Sequence, residues 1–227
     1  MNNFWRSTRA ILHKDLRTEF RSREFFGHTF MFALLVIVIF NFAFKINAQN
    51  GPLLASGILW ISFLFAGTLG LGRSFMVEKE NDCVQGLALS PVDRSAVFVA
   101  KFLGNLVFLV MMQAMILPAF IVLYNLNVME NFLMQTVVFL LGDVGFMTLG
   151  TLIAAMSVNL KAREILLPVL LLPLLTPLLI FAAGATSSLV AGDDPSVYLS
   201  RIKFLAAFDV IFFVVSALVF EYIMDEL

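Results

Sequence analysis

Long apolar runs alternate with short polar interruptions along the chain, and six runs reach the roughly 20 residues that a helix needs to cross a bilayer. They cover about 28–46, 53–75, 98–124, 132–157, 165–190 and 204–223. Every connection is short except 76–97, where "MVEKENDCVQGLALSPVDRS" sets Glu78, Lys79, Glu80, Asp82, Asp93 and Arg94 between two oily stretches. Ahead of the first run, "FWRSTRAILHKDLRTEFRSREFF" has a different rhythm. Phe4, Ile11, Leu12, Leu16 and Phe20 fall near helical spacing with the bases on the opposite arc, the pattern of an amphipathic helix lying in the membrane interface. Glu19 precedes Arg23 by four residues, a favourable pair along such a helix. The pattern predicts an all-α polytopic membrane protein: six transmembrane helices, an N-terminal interfacial amphipathic helix over 1–25, and a short surface helix between spans two and three. No linker, low-complexity tract or internal repeat divides the chain, so 1–227 reads as one domain.

Composition strengthens this reading. Hydrophobic residues make up 60% of the chain and charged ones only 14%, with a mean hydropathy of +0.94. A water-soluble domain carries about 25% charged residues, so lipid must cover much of this surface. A net charge of −1 argues against a nucleic-acid partner, which needs a basic face. The single Cys83 excludes an intramolecular disulfide, and no Cys–His spacing suggests zinc or covalently attached heme. Nearly thirty residues precede the first apolar run, too many for the n-region of a cleavable signal peptide. The terminal "MDEL" lacks the lysine of an ER-retention signal and reads as a frayed helix end.

Orientation follows from the bases. Arg6, Arg9, Lys14, Arg17, Arg21, Arg23, Arg73, Lys79, Arg94, Lys101, Lys161 and Arg163 fall on one side of the six spans, leaving Lys45, Arg201 and Lys203 on the other. Both termini and the 76–97 stretch are therefore expected in the cytoplasm, or in the matrix of a mitochondrion. The N-terminal helix reads either as a plain membrane anchor or as part of a docking surface for a cytoplasmic partner as well.

The 76–97 stretch is too ordered in pattern for a slack loop. Val77, Val84, Leu87 and Ala88 line one edge of a short helix, with Glu78, Glu80 and Asp82 suiting its N-terminal turn and Gly86 near its end. "SPVD" then reads as a fresh start, with Ser90 as N-cap, Pro91 at N1 and Asp93 at N3. A cytoplasmic helix held between two spanning helices acts as a lever; the plainer alternative is a capped connector. The chain has no G-x-x-x-x-G-K-[ST] phosphate loop and no room for a soluble nucleotide-binding domain. If ATP drives it, another subunit hydrolyses the ATP.

"VEKENDCVQGLALSPVDRSAVFVAKF" resembles the ABC-2 class of ABC-transporter permeases, whose pattern here is roughly E-[RK]-E-x-x-x-x-x-G-L-x-x-[ST]-P-[VI]-x-R-[ST]-x-x-x-x-x-K. Glu78, Lys79, Glu80, Gly86, Leu87, Ser90, Pro91, Arg94, Ser95 and Lys101 match it. "KDLRTEFRSRE" at 14–24, holding Arg17, Arg21, Arg23 and Glu24, together with "LWISFLFAGTLGLGRSFMVEKEN", is similar to the heme exporter protein B (CcmB) family of cytochrome c maturation. The resemblance implies a cytoplasmic coupling segment at 76–97 that contacts an ATPase subunit. It also implies a homodimeric permease in a bacterial inner membrane (or a mitochondrial one), with a heme-handling membrane protein and a small single-span subunit. ATP on the partner subunit would help release a periplasmic heme chaperone. Heme is the implied cargo, and whether it passes through this subunit stays open.

Inside the membrane, Ser62, Ala66, Gly70 and Ser74 make a small-residue stripe on the second span that serves either a dimer face or internal packing. Asp143 lies well within the fourth span, where a charged carboxylate costs about 2.5–3.5 kcal/mol or more. It reads as a gating residue or as a carboxyl that fixes two helices, sharing a face with Met147, Gly150 and Ala154. Asp209 is expected nearer the outer end of the sixth span and partly hydrated. Pro168, Pro173 and Pro177 should kink or break the fifth span, and "DDPSVYLSRIKF" reads as Asp194 N-cap with Pro195 at N1. His13 and His28 are the only histidines, neither paired with a second ligand at helical spacing. No resident cofactor or metal, and no catalytic group, is expected on this chain. A generic ABC-2 exporter of a lipid, glycan or drug, and a non-transporting mechanical scaffold, remain alternative readings.

Overall fold

The structure, a computed structural model, describes residues 2–21, 23–44, 50–80, 92–124, 131–158 and 163–225. These residues form seven helices: α1 (Asn2–Arg21), α2 (Arg23–Ala43), α3 (Gly51–Glu80), α4 (Arg94–Tyr124), α5 (Phe132–Ser157), α6 (Arg163–Ala191) and α7 (Pro195–Asp225). Six of them, α2 to α7, are long and apolar enough to cross a membrane. With no water in the hydrocarbon to take up backbone groups, a helix that bonds within itself is what a spanning segment of this kind must form.

Helix α5 is the axis of the bundle. In its most apolar stretch 78% of the residues are buried, against 22% in α2 and in α7, and α3, α4, α6 and α7 all pack against it. Small residues make this crowding feasible. A methyl group added at Gly142 would land on the Trp60 indole, one at Gly150 on Leu71, and one at Gly67 on the Phe146 ring. The α3–α5 seam is thus glycine facing a large side chain, repeated on both helices. The stripe on α3 settles as internal packing: Ser62 and Ala66 are buried, and Gly70 sits under Phe108 of α4.

Several expectations are corrected. The fifth span is not broken: α6 runs unbroken through Pro168, Pro173 and Pro177, and α4 likewise through Pro118. Spanning helices tolerate proline where hydroxyls and neighbouring helices serve the freed backbone groups. The last helix begins at Pro195, directly after Asp194, as the Asp194–Pro195 pattern predicts, and runs on through the sixth span. Asp209 therefore falls at mid-helix and is 6% exposed, not partly hydrated near an end.

The start of α4 also differs. Asp93, placed at N3 by the sequence pattern, is instead the cap. Its Oδ1 accepts from the Ser95 backbone N–H at 3.1 Å, and its carbonyl accepts from Ala96 at 3.0 Å. A carboxylate at this place satisfies a first-turn donor and meets the positive end of the helix dipole. Ser90 and Pro91 lie outside the described residues.

Candidate functional site

One end of the bundle collects the elements that the long connection joins. There α3 runs on as helix past its apolar stretch to Glu80, carrying Glu78 and Lys79 in its last turn. Residues 76–80 thus extend α3 and do not open a new helix. Asp82, Gly86 and Leu87 lie outside the described residues, as do Val84 and Ala88. On the far side of the connection Arg94 opens α4, half-buried, and the Ser95 hydroxyl donates to the Glu221 carboxylate at the end of α7. The last turns of α3 and α7 and the first turn of α4 therefore share this end.

Helix α1 lies here too. Its Thr8 hydroxyl donates to the Phe4 carbonyl at 3.0 Å and approaches the Ala96 carbonyl at 3.4 Å, while Leu12 and Asp15 flank Gly104. Contacts that advance along both helices mean that α1 runs beside the first turns of α4 in the same direction. Its apolar face, including Ile11 and Leu12, is spent on the protein core. The outward face keeps Trp5, 62% exposed, with Arg6, Arg9, His13, Lys14 and Arg17. Arg21 is the last described residue of α1 and Arg23 the first of α2, and Glu24 is exposed in the first turn of α2.

Between α1, α3 and α4 sits a charged cluster that the sequence pattern does not announce. Lys101 Nζ meets Asp15 Oδ2 at 2.8 Å with the lysine side chain 2% exposed, and Asp15 also meets Lys14 at 3.2 Å. Glu19 shares this environment with Arg73, whose guanidinium lies 4.4 Å over the Phe25 ring. A cavity of about 20 Å³, enough for one water, opens among Asp15, Glu19, Ser74 and Asn105. Burial raises the Glu19 carboxyl above its ordinary 4.5; Arg73 draws it down, Asp15 pushes it up and Lys101 draws it down. A carboxyl raised on folding stabilises fully below its unfolded value and loses that contribution as pH climbs through the folded one. Glu19→Gln is therefore expected to raise the thermal midpoint above about pH 5, with the gain shrinking towards pH 4. Melting curves in detergent across that range check it, and a gain independent of pH contradicts it.

The intramembrane carboxylates occupy the middle of the bundle. Asp143 is fully buried, and Gln113 Nε2 of α4 donates to its Oδ1 at 2.6 Å. Asp209 of α7 packs against Gly145, two residues along α5 from Asp143. Among the described residues Asp143 Oδ2 and both Asp209 oxygens have no hydrogen-bond partner. The Gln113–Asp143 bond ties α4 to α5 in the way a polar contact joins spanning helices. Gln113→Leu leaves Asp143 with neither oxygen partnered, an expected loss of about 1–3 kcal/mol. Adding Asp143→Leu is expected to recover most of it. Thermal unfolding of the single and double variants in detergent decides; equal losses in both would contradict the pairing.

At the opposite end, Arg201 of α7 donates to the Gly184 carbonyl and, at 2.6 Å, to the Ser188 hydroxyl of α6. Nearby, Trp60 Nε1 and Gln135 Nε2 both donate to Thr186, at 3.0 and 3.1 Å. Among the described residues no group of three His, Cys, Asp or Glu side chains could hold a metal ion, and His13 and His28 are both exposed.

Sequence reasoning missed Asp15 and Glu19 as half-buried acids, Gln113 as the partner of Asp143, and the Ser95–Glu221 contact. Two signals were available: Lys101 lies between Ala100 and Phe102 in an oily helix, and Gln113 is the one amide in the apolar stretch 106–124.

The family model described as CcmB protein matches residues 6–224. Among curated proteins the chain is similar to heme exporter protein B of Rhodobacter capsulatus, 36% identical over 77% of this chain and 80% of that protein. It is 32% identical to heme exporter protein B of Paracoccus denitrificans over 88% and 89% of the two chains. The protein of that name from Escherichia coli K12 is 30% identical over 80% of each.

Proposed function

Because the chain belongs to the CcmB protein family, we propose that it is the transmembrane subunit of an ATP-driven complex for heme export or heme-chaperone release in the biogenesis of c-type cytochromes. A separate ATPase subunit binds at the end of the bundle built by α1, the last turn of α3 and the first turn of α4. Closure of that ATPase pushes the 76–97 stretch, with Glu78, Lys79, Glu80, Asp82, Gly86, Leu87, Ser90, Pro91 and Arg94 as its interface. Because α3 is a continuous helix to Glu80 and α4 starts at a fixed cap on Asp93, a push between them tilts both spans. This is the observation that carries the proposal.

In this reading the base-rich end is cytoplasmic, both termini lie there, and the membrane is a bacterial inner membrane. Two copies pair within a complex that includes a heme-handling membrane protein and a small single-span subunit, with the heme chaperone meeting it on the far side. Heme is cargo of the complex, not a resident group of this chain.

Glu80→Lys and Pro91→Ala are each expected to lower recovery of the ATPase subunit with the tagged chain at least fivefold while leaving the chain folded and in the membrane. Quantitative mass spectrometry of gentle-detergent eluates reads this. Unchanged recovery in both variants would place the ATPase elsewhere.

A further inference from the structure

Helix α1 is tied to the two spans that bracket the long connection by charges that packing alone does not require. Asp15 pairs with Lys101 of α4 at 2.8 Å, and Glu19 lies in the field of Arg73 of α3 and of Lys101. A buried pair of this kind adds little stability over apolar residues of similar volume. What it does supply is register. Sliding α1 by one turn, about 5.4 Å, would in one direction put Ile11 in the place of Asp15 and leave Lys101 buried without its carboxylate, which is costly, and in the other would draw Glu19 away from Arg73. The same contact series, Thr8 at Ala96 and Asp15 at Gly104, runs along the part of α4 that the proposed push reaches first.

We propose that the Asp15–Lys101 pair, supported by Glu19 and Arg73, locks α1 to the α3–α4 unit, so that α1, the end of α3 and the start of α4 turn as one rigid body when the long connection is pushed. Asp15 and Lys101 are positioning residues in this arrangement. The coupling half of the inference rests on the reading above that force enters at 76–97; the lock itself does not. The basic face of α1, with Trp5, Arg6 and Arg9, then belongs to the moving body and not to a separate anchor.

The geometry offers a direct replacement for the ion pair. A Cβ at Gly104 would lie 3.8 Å from the Asp15 Cβ, the mean separation across a disulfide. The test compares a Cys83→Ala parent with a chain carrying Lys101→Met, Asp15→Cys and Gly104→Cys in addition, both in the reconstituted complex. Two readouts are taken: hydrogen exchange of residues 8–19, and chaperone release per ATP hydrolysed. In the reduced form exchange is expected to quicken at least tenfold and release per ATP to fall at least fivefold. Oxidation is expected to return both to within twofold of the parent. Exchange that does not respond to reduction overturns the lock. Exchange that responds while release per ATP stays at the parent's level overturns the rigid-body role. A parent that hydrolyses ATP without any release, but whose reduced and oxidised derivatives differ in exchange as stated, upholds the lock and counts against the proposed function instead.

Discussion

Gly142→Val is expected to remove nearly all folded, monodisperse protein from a detergent extract. The first added carbon lands on the Trp60 indole, and that ring has nowhere to go. It is 2% exposed, packed edge-on against Phe63 and Phe139 at 5.7 and 6.0 Å, and held by its bond to Thr186. Overpacking in a core costs about 1–3 kcal/mol and occasionally more; here a branched side chain must displace a ring that is itself bonded to a third helix. Gly57→Ala is the matched control, because a carbon added there meets nothing within 4 Å. It is expected to hold or slightly raise the thermal midpoint, since a helical alanine loses less conformational freedom than glycine. Size-exclusion profiles and melting curves of the two variants check the pair. A well-folded Gly142→Val would mean that α3 and α5 do not meet along this seam.

The second large effect is expected at Lys101. Lys101→Ala leaves Asp15, whose side chain is only 15% exposed, beside Glu19 with only the more exposed Lys14 ammonium and the Arg73 guanidinium to balance the two. Removing one partner of a buried pair typically costs about 3–5 kcal/mol. Replacing both partners by uncharged groups is far milder, so Asp15→Asn with Lys101→Met is expected to recover most of the stability lost in Lys101→Ala. Thermal unfolding of the single and double variants reads the difference. Additive losses would show that the two side chains act independently and that the cluster is not a unit.

The spans were legible because their signal is length and apolarity, which neighbours hardly alter. Five of the six expected spans overlap the structural ones closely. The sixth lies inside a longer helix whose start was legible too, because Asp194 as cap and Pro195 at the first helical position suit a helix that begins beyond the hydrocarbon. The continuation of α3 through 76–80 was not legible: the acids at 78–82 suit the first turn of a new helix, yet 76–80 continue the old one. Asp93 misled for a related reason. "SPVD" holds several residues that cap helices, and a sequence pattern cannot say which of them turns out of the helical conformation.

The charged cluster was hidden for a different reason. Asp15, Glu19, Arg73 and Lys101 lie on three helices and meet only after these pack. By spacing alone Asp15 and Glu19 read as part of the polar face of an interfacial helix. The structure turns that face partly inward, so that α1 divides into a protein-facing side with two acids and an outward side with bases and Trp5. Asp143 stood out because a carboxylate in a spanning run is rare and expensive. Its partner Gln113 passed unnoticed because an amide in such a run is cheaper and less conspicuous.

The central claim is that this membrane subunit takes its driving force from a separate ATPase through the end of the bundle at 76–97. The most direct measurement is gentle-detergent purification of the tagged wild-type chain from its native membrane, with mass spectrometry of every protein that accompanies it. The predicted result is an ATPase subunit in near-equal amount, together with a heme-handling membrane protein. An ATPase without heme-handling partners would point to an exporter of another cargo. Recovery of the chain with no ATPase under conditions that keep it folded would contradict the claim.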